Sequence, residues 1–229
     1  MRKNLENRDS HTASGSRVFY NRIIDTTDFQ GRLLSREEEI ESERRAFWNL
    51  LVSVIAQVGF QLSSNNQTEI LDIACGKCVE ASVLNSFFGG MNYSQFSEQV
   101  KVTGIDIRDG MIEEAKSLYQ SDSYSFVTGD ATQLSQYHLP TSPDVIVIRH
   151  QEMINGTSLW EQIVSQAIDR LTNNGIAIIT SYTQEENNLL LKYLDKYQLS
   201  LKLTIKNQFA KETRIQGVAI DQYVLILHR

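Results

Sequence analysis

From Glu69 onward, short apolar runs alternate with segments whose apolar residues recur at helical spacing. Ile70 to Ala74 reads as a first strand and Val79 to Phe88 as a helix, ended by Gly89-Gly90. Residues 91 to 99 read as a loop extension. Val100 to Ile107 is the second strand, followed by a helix over Gly110 to Tyr119 with Met111, Ile112, Ala115 and Leu118 facing inward. Tyr124 to Thr128 is the third strand. Asp144 to Arg149 is the fourth, and its run Val-Ile-Val-Ile is that of a strand covered on both faces. A helix over Leu159 to Leu171 turns at Asn173-Asn174-Gly175 into a fifth strand, Ile176 to Thr180. A helix over Glu185 to Tyr197 follows. Leu199 to Ile205 and Tyr223 to Leu227 close the chain as strands with no helix between them.

Alternation of this kind predicts a doubly wound α/β domain. The closing pair predicts one antiparallel strand in the edge region of an otherwise parallel sheet. Ahead of this domain lies a helix that starts at Ser35. Ser35 and Glu38 have capping-box spacing, and Glu37, Glu38 and Glu39 suit the positive helix end. Ile40, Phe47, Leu50, Leu51, Val54, Ile55 and Val58 share one face, and Gly59 is the stop. The expected organisation is a disordered tail over 1–16, an N-terminal helical segment or lid over 17–62, and the main domain over 63–229. Phe19, Tyr20 and Phe29 are the aromatics from which a lid over a ligand would be made.

Composition narrows the class. The chain has 229 residues, a formal net charge of −6, 2 cysteines and 2 prolines. An acidic total argues against a nucleic-acid partner, whose phosphates attract basic surfaces. No apolar stretch is long enough for a bilayer span, so no membrane association is expected. Two cysteines make no disulfide framework and fit a reducing, cytoplasmic location. A homodimer is compatible with the sequence.

The chemistry-bearing residues fall at strand ends. Asp72 ends the first strand and is followed by the small residues Ala74, Gly76 and Cys78, which let a ligand approach the backbone. A carboxylate there can receive an ammonium group. Asp106 ends the second strand, where its two oxygens can accept both hydroxyls of a ribose. Asp109 is the better cap for the following helix, which leaves Asp106 for a ligand. Asp130, after the third strand, can accept from an adenine amino group or serve as an ordinary turn aspartate. These three carboxylates are expected around one hollow.

Cys75-Gly-Lys-Cys78 has redox-motif spacing, but too many strand–helix units follow for a thioredoxin-like fold. A zinc site needs more ligands, so no metal is expected and the cysteines read as small buried residues. The turn lacks G-x-G-x-x-G, and Asp72 would repel a pyrophosphate, which disfavours a nicotinamide dinucleotide. Beyond the fourth strand, His150 is a candidate general base, because imidazole titrates near neutrality. Glu152 would orient it or hold a cationic substrate, and Tyr182 would wall the site.

Taken together, Ile-Leu-Asp-Ile-Ala-Cys-Gly, Thr-Gly-Ile-Asp-Ile with Met-Ile-Glu-Glu-Ala-Lys, Thr-Gly-Asp-Ala, Asp-Val-Ile-Val-Ile and Leu-Thr-Asn-Asn-Gly-Ile-Ala-Ile-Ile resemble the Rossmann-like (class I) S-adenosylmethionine-dependent methyltransferases. The resemblance runs in order from Glu69 to the C-terminus. It implies a seven-stranded sheet whose seventh strand is antiparallel and inserted beside the fifth. It implies S-adenosylmethionine as cofactor and S-adenosylhomocysteine as product. The methionine end is expected near Asp72, Ala74, Cys75 and Gly76, the ribose on Asp106, and the adenine near Ile107, Asp130 and Ala131. Met111 and Arg149 join the residues expected to contact the cofactor. The family's turn usually carries glycine where this chain has Ala74 and Cys78. The function expected is methyl transfer to an oxygen or nitrogen of a small molecule. The alternatives are a non-catalytic adenosyl-binding protein, an NAD(P)-dependent oxidoreductase and a nucleic-acid methyltransferase.

Overall fold

The computed structural model describes residues 35–62, 67–91, 100–196, 200–213 and 215–229. The expected tail, the aromatics Phe19, Tyr20 and Phe29, and most of the 91–99 extension lie outside them. Helix α1 (Arg36–Val58) begins as its sequence demands. The Ser35 hydroxyl accepts from the Glu38 amide, and the Glu38 carboxylate accepts from the Ser35 amide. It stops at Gly59, whose φ of 63° is left-handed. Its buried face is Phe47, Leu50, Leu51, Val54 and Ile55, while Ile40 and Val58 are only half-buried.

The main sheet holds β1 (Thr68–Ile73), β2 (Val100–Asp106), β3 (Tyr124–Thr128), β4 (Val145–Ile148), β5 (Ile176–Ser181), β6 (Leu201–Lys206) and β9 (Tyr223–His228), in the order β3-β2-β1-β4-β5-β9-β6. β1 to β5 pair in parallel, and β9 runs antiparallel between β5 and β6. The antiparallel strand is therefore one position in from the edge, because β6 takes the outer place. A short hairpin, β7 (Lys211–Glu212) with β8 (Ala219–Ile220), precedes β9. Neither it nor the 3-10 segment Ala131–Gln136 carries a periodicity that the sequence reveals.

Two apolar layers cover the sheet. One packs α1 and α2 (Ala81–Met91) with alternate strand residues such as Ile70, Val102, Val145 and Ile178. The other packs α4 (Thr157–Arg170) and α5 (Gln184–Lys196) against Leu71, Ile105, Ile146 and Ile179. Consecutive strand residues enter opposite layers, which is why the strands read as continuous apolar runs. Two expectations fail in detail. α2 continues through Gly89-Gly90 to Met91, since glycine in a helix costs only about 1 kcal/mol and the neighbouring Phe87 and Phe88 are anchored in the core. In α3 (Asp109–Leu118), Leu118 is exposed and only Ile112 and Ala115 are buried.

Strand order reverses at β1, whose neighbours are β2 and β4. In an open α/β sheet a crevice forms at the carboxyl ends of strands where the order reverses. Asp72, Asp106 and His150 all stand at that edge.

Candidate active site

The β1–α2 turn adopts an unusual backbone. Ala74, Gly76 and Cys78 have φ of 57°, 56° and 51°. These are alternate positions, and all three are left-handed, a region natural for glycine and costly for other residues. Two of these three left-handed positions are held by residues other than glycine. Cys78 donates its amide to the Cys75 carbonyl at 2.7 Å, which closes the turn. Both cysteines are buried, as expected. Their sulfurs rest against Gly104 of β2, where a Cβ would lie 2.7 Å from Cys75 Sγ and 3.1 Å from Cys78 Sγ. Only glycine leaves that room.

Asp72 lies beneath this turn and is 1% exposed. The Cys78 thiol donates to its Oδ2 at 3.0 Å, and its Oδ1 has no partner. Burial and the nearby Glu80 charge push the Asp72 carboxyl well above the usual range, against the lowering effect of Cys78. For Cys75, the Cys78 hydrogen bond lowers the pKa. Burial and the charges of Asp72 and Glu80 outweigh it and push the thiol up to about 11.

Asp106 is engaged on every side. Its Oδ2 accepts from the Gly76 amide at 2.8 Å. Its Oδ1 accepts from the Arg108 amide at 2.9 Å. The Arg108 guanidinium then grips both oxygens, Nε to Oδ1 at 2.9 Å and Nη2 to Oδ2 at 3.0 Å. Burial opposes ionisation, but these Arg108 bonds and the Gly76 amide outweigh it and lower the Asp106 pKa. Asp106 is thus held ionised, with Arg108 across its two oxygens. Asp109 does not cap α3. The N-cap position belongs to Arg108, and the Asp109 carboxylate accepts from the Thr128 hydroxyl.

Asp130 caps the 3-10 segment, accepting from the Thr132 amide at 2.8 Å and hydroxyl at 2.7 Å. It behaves as the turn aspartate that the sequence left open. Ala131 is buried beside it, Ile107 is exposed, and Met111 is half-buried. Cavities of about 290 and 320 Å³ open elsewhere on the surface, and Asp72, Asp106 and Asp130 line neither.

The fourth strand ends in a second polar cluster. Arg149 is buried, with its guanidinium 4.3 Å from the Phe47 ring centroid. It donates to Glu80 at 2.9 Å, to Glu43 at 3.2 Å, and with two nitrogens to Asp221 at 3.2 and 2.7 Å. Desolvation alone would lower its pKa, but the Asp221, Glu80 and Glu43 charges raise it well above the ordinary value. Arg149 therefore ties α1, α2's approach and the β8–β9 turn together. Burial would raise the Asp221 pKa, yet Arg149 and the adjoining His150 hold it far below the usual carboxylate range. The Thr180 hydroxyl also donates to Asp221 at 2.6 Å.

His150 has a left-handed φ of 60°. Its ring stacks on Tyr182 at 5.2 Å between centroids. Its Nε2 lies 3.3 Å from Asp221 Oδ1, an ion-pair distance without in-line hydrogen-bond geometry. The carboxylate beside His150 is thus Asp221 and not Glu152. Glu152 is half-buried, takes a 3.5 Å contact from Asn155, and has its pKa raised by burial. No spacing in the sequence announces Asp221, which stands 71 residues after His150. Gln151 is fully buried with both side-chain polar atoms unpartnered, and the Ser181 hydroxyl is unpartnered too.

Among the described residues no helix is long and apolar enough to cross a membrane. No curated protein sequence matches this chain. Solved structures share its fold. PH0226 protein from Pyrococcus horikoshii superposes with a TM-score of 0.59 at 17% identity, covering 92% of this chain and 98% of that one. A S-adenosylmethionine-dependent methyltransferase from Clostridium acetobutylicum gives 0.58 at 10% identity, covering 81% and 91%. A TehB-like SAM-dependent methyltransferase from Corynebacterium glutamicum gives 0.52 at 15%, covering 97% and 100%. The family model described as a methyltransferase domain matches residues 64–220, more than two thirds of the sequence. That match sets aside the oxidoreductase and non-catalytic alternatives. Carboxylates at the ends of β1 and β2, a left-handed turn between them and this match agree: the chain belongs to the methyltransferase-domain family and has the Rossmann-like fold of its S-adenosylmethionine-dependent enzymes.

Proposed function

We propose that this enzyme transfers a methyl group from S-adenosylmethionine to an oxygen or nitrogen of a small molecule. The observation that carries the reading is Asp106. It is buried and ionised at the end of β2, and both oxygens already accept a paired donor from Arg108. A ribose diol offers the same two-point donation, so the carboxylate fits the nucleoside once Arg108 swings aside. The unpartnered Asp72 Oδ1 fits the methionine ammonium. The left-handed turn at Ala74 and Gly76 keeps the backbone low there. Ile107, Met111 and Ala131 supply the apolar and small surfaces for an adenine. The sulfonium supplies an electrophilic methyl group when bound.

His150 is the proton acceptor in this reading. Asp221 lies 3.3 Å from its Nε2 and Tyr182 stacks on its ring, while Arg149 anchors Asp221. A base held in this way serves an acceptor whose hydroxyl or ammonium must lose a proton. Much of the remaining rate comes from holding two reactants in near-attack geometry. The formal charge of −6 supports a small-molecule acceptor over a nucleic acid.

Titration calorimetry with S-adenosylmethionine tests the central assignment. Loss of the charged bonds in Asp106→Ala is expected to weaken binding about 10- to 100-fold, the equivalent of roughly 1.5–3 kcal/mol. Equal affinity for both proteins would refute the ribose role. His150→Gln is expected to lower kcat by about 10²–10⁴ with KM for the cofactor unchanged. An unaltered kcat assigns the proton to another group.

A further inference from the structure

We propose that Asp72, Cys75 and Cys78 together bind a thiophilic divalent cation of the zinc and cadmium type. One carboxylate oxygen and the two sulfurs all lie within 4.8 Å of one another, and all three residues are buried. The left-handed conformation at Cys78 and the closed Cys75–Cys78 turn bring both side chains onto the face covered by Gly104. A side chain at residue 104 would occupy the space the sulfurs fill.

A second observation points to a ligand. Asp72 is 1% exposed, yet its Oδ1 has no partner, while Oδ2 takes only the Cys78 thiol at 3.0 Å. An orphaned buried oxygen asks for a cation or a donor. Two thiolates and a carboxylate form a soft, anionic donor set that selects ions of this class over calcium or magnesium. Three protein donors leave a fourth position open, as in zinc sites that accept an external ligand. The half-buried residues Ala74, Gly76 and Lys77 give the approach. The two thiols each release a proton as the ion binds, and Asp72 releases its own from whatever fraction burial keeps protonated.

The inference does not depend on methyl transfer, but it intersects it. Asp72 is also the residue assigned to the methionine ammonium, so cation and cofactor compete for one carboxylate. The cation would then inhibit cofactor binding.

The test is a titration of the reduced, full-length chain with Cd²⁺ while thiolate-to-cadmium absorption is followed in the ultraviolet. One equivalent per chain is expected, with at least the two thiol protons released. Cys78→Gly removes a donor at a backbone position that glycine favours, so the fold is retained, which thermal melting by circular dichroism checks. Cys75→Ser removes the other sulfur. Each is expected to weaken Cd²⁺ by more than about 100-fold, beyond the loss typical of a supporting residue. Asp72→Asn is expected to weaken binding and keep the absorption band. Absence of the band, or an unchanged affinity in Cys78→Gly, overturns the site. S-adenosylmethionine binding is measured separately without Cd²⁺. Its absence alongside intact Cd²⁺ binding counts against the methyl-transfer reading alone, whereas intact cofactor binding with no thiolate–cadmium band counts against the metal site alone.

Discussion

The turn after β1 and the cluster after β4 are both polar, both buried and both at the carboxyl edge of one sheet, yet their carboxyl groups ionise differently. Around Arg149, Glu43, Glu80 and Asp221 converge on one guanidinium, and Asp221 is held ionised. Beneath the turn, Asp72 has only a thiol for a partner, and burial holds its pKa high. Depth is the same and the outcome differs, because only one cluster contains its own cation. A buried carboxylate with an internal cation is part of the scaffold. One without is governed by burial, which disfavours its charged form.

The comparison breaks most visibly at its cation. Arg149→Met leaves three carboxylates converging on an apolar side chain, and loss of one partner from a buried ion cluster costs about 3–5 kcal/mol. Urea denaturation should show the midpoint falling accordingly. A loss under about 1 kcal/mol would mean that water already solvates the cluster. A subtler probe is pH. The Asp221 pKa is lowered in the folded chain, so its stabilisation is present above the unfolded value of about 3.9 and is lost as pH falls toward the folded one. Asp221→Asn should therefore cost most near neutrality, and its gap from the parent should narrow as melts are run in more acidic buffers. A gap that widens in acid reverses the sign. The smallest effect lies in the turn. Ala74→Gly relieves a left-handed alanine worth about 1–2 kcal/mol, partly offset by the entropy glycine loses on folding, about 0.5–1 kcal/mol. A gain of up to about 1.5 kcal/mol is expected in the same denaturation assay. Destabilisation would show that the alanine methyl packs better than its backbone suffers.

How well each region can be read from the sequence follows the same division. The strands of the sheet appear as apolar runs because each is buried on both faces. The capping box at Ser35 and the stop at Gly59 act within one helical turn of their own residues, so their spacing suffices. Asp72, Ala74, Gly76 and Asp106 belong to a motif only 35 residues long and can be placed by it. The Arg149 cluster has no such motif. Its partners lie 69, 72 and 106 residues away. Short-range reading therefore names Glu152, the near neighbour of Arg149, as the group that orients His150, and gives no sign of Asp221. Gly89-Gly90 misled for a related reason. Local propensity signals a stop, but the phenylalanines before the pair are fixed in the core, and packing carries the helix past it.

By itself the sequence determined the alternation of strands and helices, the family and the small residues of the β1–α2 turn, because periodicity and short motifs are properties of neighbouring residues. Tertiary structure alone decided which charges would meet. It brought Asp221 to His150 and Arg149, and Glu43 and Glu80 to the same guanidinium. Those encounters depend on the distances that folding closes between remote segments, and the ionisation of each group depends on the water that folding removes.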